Sequence, residues 1–137
     1  MTQIRDVMTE NPTSCEPQAS VAEAAKVMAR EDVGPIPVVD GERLVGLVTD
    51  RDLVVRVLAQ GRDPQVTTVG EVASTDLVTL SPEQDLGEAL QLLARHQVRR
   101  LPVVEGGKLV GTVAQADVAR HGDDARTGEV VERISQI

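Results

Sequence analysis

The chain repeats itself without a gap. Residues 6–53 recur 65 positions later as residues 71–118, and 16 of the 48 aligned positions are identical. The identities fall where a fold is punctuated: Pro17/Pro82, Pro37/Pro102, Gly41/Gly106, Gly46/Gly111 and Asp52/Asp117. A duplicated unit of this size is expected to fold as two similar halves about a pseudo-twofold axis, with paired clefts at their seam. Positions where the copies differ then indicate which cleft is equipped.

The 137 residues suit one compact domain or two small intimate ones. Half a chain, about 65 residues, is marginal alone, so the halves are expected to share a core. The pattern divides into a first repeat over residues 1–60, a linker over 61–70, a second repeat over 71–122 and a tail over 123–137. In that tail Val130, Val131 and Ile134 predict an extra C-terminal helix. No apolar run reaches the roughly 20 residues that span a bilayer, and the first residues lack the apolar stretch of a signal peptide. One cysteine leaves no internal disulfide and fits a reducing compartment. The expectation is a cytoplasmic protein.

A formal charge of −8 argues against nucleic acid as the main partner, which calls for a basic face. It leaves room for a small anion in a local basic pocket. Phe, Tyr and Trp are absent, so a planar ligand would be gripped by aliphatic side chains and backbone rather than by stacked rings.

Each half carries the same order of signals. A short stretch before a proline (Pro12–Glu16, Leu77–Leu80) reads as a strand. Ser20-Val21-Ala22-Glu23 and Asp85-Leu86-Gly87-Glu88 then read as capping boxes. The helices that follow place Val21, Ala24, Ala25 and Met28, or Leu86, Ala89, Leu90 and Leu93, on one face, and should end near Asp32 and Gln97. Two β-branched runs come next (Ile36–Val39 with Leu44–Thr49, Leu101–Val104 with Leu109–Ala114), joined by glycine-containing turns. A last helix starts near Thr49 or Ala114, and in the first half runs through Leu53, Val54, Val57 and Leu58. The class is mixed α/β, strand–helix–strand–strand–helix, twice.

Chemistry concentrates at Gly46-Leu47-Val48-Thr49-Asp50-Arg51-Asp52, a strand running straight into a helix. Thr49 and Asp52 suit a purely structural capping pair. The same geometry offers free N–H groups and a hydroxyl to a phosphate, and a carboxylate to the hydroxyls of a ribose. The second copy, Gly111-Thr112-Val113-Ala114-Gln115-Ala116-Asp117, keeps the acid and loses the hydroxyl. One strand earlier the asymmetry reverses. Arg99 and Arg100 stand where the first copy has Gly34 and Pro35. Adjacent arginines are usually a solvated pair, but guanidinium also matches phosphate. A pseudo-twofold arrangement would bring Thr49 and Asp52 against this arginine strand, leaving the other cleft without hydroxyl or arginines.

Remaining candidates are weaker. Cys15 has no neighbouring histidine and suits a buried structural thiol. His96 and His121 fall near predicted helix ends, where histidine favours the dipole, and lack the close-spaced partner a metal site needs. No nucleophile–base pair stands out, and the glycine turns lack P-loop or dinucleotide spacing.

The duplication, the strand with Pro-Val before a hairpin, and the G-h-h-T-x-x-D junction resemble a pair of cystathionine-β-synthase (CBS) domains, also called a Bateman module. The likeness covers residues 4–121, and His96–Val103 with Ala116–His121 is similar to short stand-alone bacterial pairs. The resemblance implies a sensor of an adenosine-containing ligand (AMP, ADP, ATP or S-adenosylmethionine), without a catalytic domain and commonly dimeric. By position it implies that Asp52 binds ribose and that Thr49 contacts ribose or phosphate. Arg100, with Arg99, would meet the phosphates, while Thr79 and Ser81 line the base pocket. Asp117 would mark a second, poorer site faced by Ser14 and Gly34–Ile36. The rival readings are a dimerisation or protein-interaction module with vestigial clefts and a small metal-dependent enzyme.

Overall fold

A computed structural model describes residues 2–121. The extra helix expected in the tail lies outside the described residues. The elements are a 3₁₀ turn at Ile4–Asp6, β1 (Thr9–Glu10), α1 (Val21–Glu31), β2 (Ile36–Asp40) and β3 (Arg43–Val48). After these come α2 (Asp50–Leu53), a π-helical turn (Val54–Leu58), α3 (Val69–Val72), α4 (Leu86–His96), β4 (Arg100–Glu105), β5 (Lys108–Ala114) and α5 (Gln115–His121). The expected mixed α/β class is present, and both repeats carry the helix–strand–strand–helix part of the expected order.

The helices stop where the sequence indicates. Asp32 and Gln97 are the C-caps of α1 and α4, both left-handed (φ 54° and 51°). At the other ends, Ser20 Oγ accepts the Glu23 N–H at 3.1 Å, but Asp85 caps the Gly87 N–H instead of that of Glu88. Glu88 bonds the Gln84 side chain at 2.8 Å, so the second predicted capping box is not formed, and of the first only the Ser20 half is seen. Of the predicted faces, Val21, Ala24 and Met28 are buried on α1 with Ala25 exposed, and all four positions are buried on α4.

The hairpins β2–β3 and β4–β5 are antiparallel, with a register shift at Val38/Val39 and again at Val103/Val104. Gly41 and Gly106 take positive φ at the turns (68° and 59°), as the turn chemistry requires. The strands expected at Pro12–Glu16 and Leu77–Leu80 shrink to single parallel bridges, Cys15↔Val38 and Leu80↔Val103. Prolines flank or end both stretches and have no N–H to extend a ladder. The last helix of the first repeat is not a uniform α-helix. After four residues it widens into the π turn, which buries Val57 and exposes Val54 and Leu58.

The described residues form two compact units, residues 13–77 and residues 2–12 with 78–121. Neither is one repeat. Each combines the body of one repeat with the short segment leading into the other, and the same bonds recur at the 65-residue offset. The Ile4 N–H donates to Gln84 O and the Val69 N–H to Ala19 O, both at 2.8 Å. Arg5 bonds Pro82 O and Gly70 bonds Pro17 O; Leu86 bonds Thr2 O and Val21 bonds Thr67 O. Thr9 pairs with Thr112, as Ser74 does with Leu47. The cores follow suit. Ile4 and Val7 join Leu86, Leu90, Leu93 and Val103 in one, while Val69 and Val72 join Val21, Ile36, Val38 and Val48 in the other. The core expected to be shared between halves is therefore two cores, each completed by a borrowed segment. Burying an Ile or Val side chain contributes about 1.5–3 kcal/mol, which for a body of this size decides whether it folds.

This exchange explains Gly46 and Gly111. A Cβ at Gly111 would stand 2.8 Å from both Thr9 O and Met8 Sδ; one at Gly46 would stand 3.1 Å from Ser74 O. Both glycines exist because a lead-in backbone crosses over them. Gly111→Ala should therefore destabilise the chain by about 1–3 kcal/mol through forced displacement of residues 8–9. Gly46→Ala should cost less, since its neighbours need yield only slightly. Urea unfolding of the two variants checks the order, and a larger effect at Gly46 would contradict it.

Candidate functional site

Within the unit of residues 13–77, β3 delivers Thr49 to the start of α2. Thr49 Oγ1 accepts the Asp52 N–H at 3.2 Å, and Asp52 Oδ2 accepts the Thr49 N–H at 2.9 Å. The structural role foreseen for this pair is thus real. It does not exhaust either side chain. A hydroxyl that accepts still has a proton to donate, and a carboxylate has about four acceptor positions. Asp52 Oδ1 receives no hydrogen bond among the described residues. Its nearest cation is Arg56, whose Nε stands 3.8 Å away while its Nη1 donates to Val72 O at 3.0 Å. The Asp52 side chain is 17% exposed, enough for a ligand to reach it. Gly34 abuts Asp50 in this unit: a Cβ there would stand 3.0 Å from Asp50 Oδ1.

The second copy, in the other unit, is arranged differently. Asp117 Oδ2 accepts the Ala114 N–H at 2.9 Å, which repeats half of the capping pair. Its Oδ1, however, takes a 2.6 Å bond from Arg120 Nη2, and the residue is buried. Both oxygens are engaged. Beside it, Gln115 Oε1 is buried without a hydrogen-bond partner. Arg100 opens β4 opposite Ala114, and Arg99 O accepts the Gln115 N–H at 2.9 Å. Both arginines are exposed and make no ion pair among the described residues. Thr79 is exposed and Ser81 half-buried, flanking the buried Leu80 that bridges to β4. The structure thus gathers Arg99, Arg100, Thr79, Ser81 and Asp117 in one unit, and Thr49, Asp52, Ser14 and Ile36 in the other.

Ile36 is fully buried in its core, so it offers a ligand backbone rather than side chain. Ser14 lines a shallow groove of about 430 Å³ with Cys15, Glu16, Gln18, Glu23 and Val27. Two carboxylates on its rim make that groove repellent to a phosphate. Burial, helped by the Glu23 charge, pushes the Cys15 thiol up from its ordinary pKa. A raised pKa disfavours the reactive thiolate and agrees with a structural role. His96 and His121 occupy the last turns of α4 and α5. Among the described residues no three His, Cys, Asp or Glu side chains come together to hold a metal, and no helix is long and apolar enough to cross a membrane.

Comparison with known proteins completes the assignment. The family model for the CBS domain matches twice, at residues 4–59 and 69–124. The chain belongs to the CBS-domain family. As a CBS pair it is 47% identical over 119 residues to CBS domain-containing protein YhcV of Bacillus subtilis, covering 87% of this chain and 84% of that one. It is 39% identical over 122 residues to Hypoxic response protein 1 of Mycobacterium tuberculosis, covering 88% and 85%. Among solved structures it is similar to Hypoxic Response Protein I with two coordinated zinc ions, with a TM-score of 0.80, 39% identity and coverage of 89% and 100%. It is also similar to CBSX2 in complex with AMP, with a TM-score of 0.77, 28% identity and coverage of 88% and 95%.

Two residues of this CBS pair escaped sequence reasoning: Arg56 and Arg120. The spacing of Arg56 from Asp52 (i, i+4) and of Arg120 from Asp117 (i, i+3) was available as a signal. What each arginine does with its acid was not, because it depends on the π turn and on the position of the Val72 carbonyl.

Proposed function

We propose that this CBS pair is a regulatory module without catalysis of its own, which binds one adenosine-containing ligand (AMP, ADP, ATP or S-adenosylmethionine) and passes on its occupancy. The observation that carries the reading is the open Oδ1 of Asp52, beside a Thr49 hydroxyl with a proton to give, in contrast to the closed Asp117. Asp52 accepts the ribose hydroxyls and Thr49 donates to ribose or phosphate. Arg100, aided by Arg99, holds the phosphates, and Thr79 and Ser81 line the base pocket. Asp117, with Ser14 and Ile36, forms a second and weaker site. The likeness to a structure solved with AMP supports the ligand class. The proposed setting is the cytoplasm, with neither membrane nor nucleic acid as partner.

The composition makes the test inexpensive. With no Phe, Tyr or Trp, the purified chain absorbs almost nothing near 260 nm unless it carries a nucleotide. Denaturing it and identifying the released compound by mass spectrometry should yield an adenosine derivative. Release of nothing by a protein that also fails to take up AMP would favour a protein-interaction module instead.

A homodimer is the proposed working form. Val54, Val55 and Leu58 lie 55%, 41% and 66% exposed on the π turn, an apolar surface that a second copy would cover along with α5. Sedimentation at micromolar concentration should give a dimer, and Val54→Asp/Leu58→Asp should give a monomer. A wild-type monomer under those conditions would contradict the proposal.

A further inference from the structure

The two acids at the strand-to-helix junctions begin alike and end differently. Each spends Oδ2 on the N–H three residues back, at 2.9 Å in both copies. Each is followed about one turn later by an arginine. Arg120 Nη2 bonds Asp117 Oδ1 at 2.6 Å and has no other bonded partner among the described residues. Arg56 stays 3.8 Å from Asp52 Oδ1, beyond hydrogen-bond reach. Two features hold it off. It sits in the π turn, which rotates it away from the register of an α-helix, and it donates to Val72 O at 3.0 Å, at the end of α3. α5, by contrast, is α-helical from Gln115 to His121 and projects Arg120 onto its acid.

We infer that these arginines determine which acid can accept a vicinal diol: Arg120 is a latch that closes Asp117, and the Val72 carbonyl keeps Arg56 from closing Asp52. This rests on the reading that Asp52 accepts ribose hydroxyls. A diol arriving at Asp117 must first displace a charge-assisted hydrogen bond, whereas one arriving at Asp52 meets only the longer ion pair with Arg56 at 3.8 Å and displaces no hydrogen bond. The lead-in segment that supplies Val72 thereby becomes part of the binding apparatus without touching ligand, because its departure would free Arg56 to close the first acid as Arg120 closes the second. Arg56 and Arg120 are positioning residues, and the loss of Thr at Ala114 is only half of why the second site is poor.

Two measurements on the full chain test the latch. The first needs no ligand. Carboxylates are coupled to glycinamide with a water-soluble carbodiimide and read by peptide mass spectrometry. Asp117 should label severalfold faster in Arg120→Ala than in wild type. Asp52 labelling should change less than about twofold in Arg56→Ala, since Arg56 does not cover it. Removing the 69% exposed Arg120 leaves the buried Asp117 carboxylate without its cation, so urea unfolding of Arg120→Ala accompanies the labelling. An intact transition assigns faster labelling to the opened latch rather than to unfolding. Unchanged Asp117 labelling would overturn the inference whatever the nucleotide result.

The second measurement is calorimetric titration with adenosine, which needs no arginine for a phosphate. Ala114→Thr alone should keep the wild-type stoichiometry of one per chain, and Ala114→Thr/Arg120→Ala should raise it to two. A double variant that still binds one, beside a wild type that binds one, would sink the latch and leave the proposed function standing. A wild type that binds no ligand would sink the proposed function, with the labelling result still deciding the latch.

Discussion

Asp52→Ala is expected to weaken AMP binding at least tenfold, while Asp117→Ala changes it by less than about twofold. Hydrogen bonds to a charged acceptor are worth roughly 1.5–3 kcal/mol each, and 1.4 kcal/mol is a factor of ten in affinity. Ribose offers two hydroxyls to one carboxylate. Asp52 can take them because only its Oδ2 is committed, whereas Asp117 has both oxygens engaged, by Ala114 and Arg120. Asp52 is also a cap, so the alanine variant loses about 1 kcal/mol of stability as well. Asp52→Asn separates the two effects. Its amide oxygen can still accept the Thr49 N–H, so the fold should hold close to wild type while affinity falls. Calorimetry gives the affinities and urea unfolding gives the stabilities. Equal affinity losses at Asp52 and Asp117 would remove the model of one competent acid.

The second large effect concerns phosphate. Arg100→Ala should cost AMP and ATP roughly tenfold or more in affinity, since a charge-assisted contact to phosphate is lost, and should leave adenosine nearly unaffected. Arg100 is exposed, opens β4 and has no ion-pair partner among the described residues, so its charge is available to a ligand. Replacing it with alanine leaves no buried partner stranded. Stability should therefore move by less than about 0.5 kcal/mol, as for most surface substitutions. A loss of adenosine binding equal to that of AMP would show that Arg100 acts on the fold or the base rather than the phosphate. Arg100→Lys should recover part of the AMP affinity but not all, because a point charge lacks the planar fork of guanidinium.

Much of this was legible in the sequence because the repeat states each local rule twice. Helix stops at Asp32 and Gln97, hairpin turns at Gly41 and Gly106, and the buried faces of α1 and α4 all follow from short-range chemistry. The failures are long-range. Nothing local indicates that Ile4 is buried with the second repeat and Val69 with the first, although Gly46 and Gly111 are its trace once the crossing backbones are known. The strands expected at Pro12–Glu16 and Leu77–Leu80 reduce to single bridges at Cys15 and Leu80, because a ladder needs a second partner that local sequence does not show and the bounding prolines have no N–H to extend one. At the junction, the structural and functional readings of Thr49 and Asp52 are not alternatives. The cap uses one oxygen of the carboxylate, and the other remains for a ligand. That division depends on a π turn no propensity signalled and on a carbonyl 16 residues from Arg56.

The central claim, that this CBS pair binds an adenosine-containing ligand at one competent acid, is most directly tested by isothermal titration of ligand-stripped wild-type protein with AMP, ADP, ATP and S-adenosylmethionine. Saturable binding of at least one of them, at one per chain and abolished or weakened at least tenfold by Asp52→Ala, is the expected result. No heat with any of the four, from protein whose unfolding transition is intact, would contradict it.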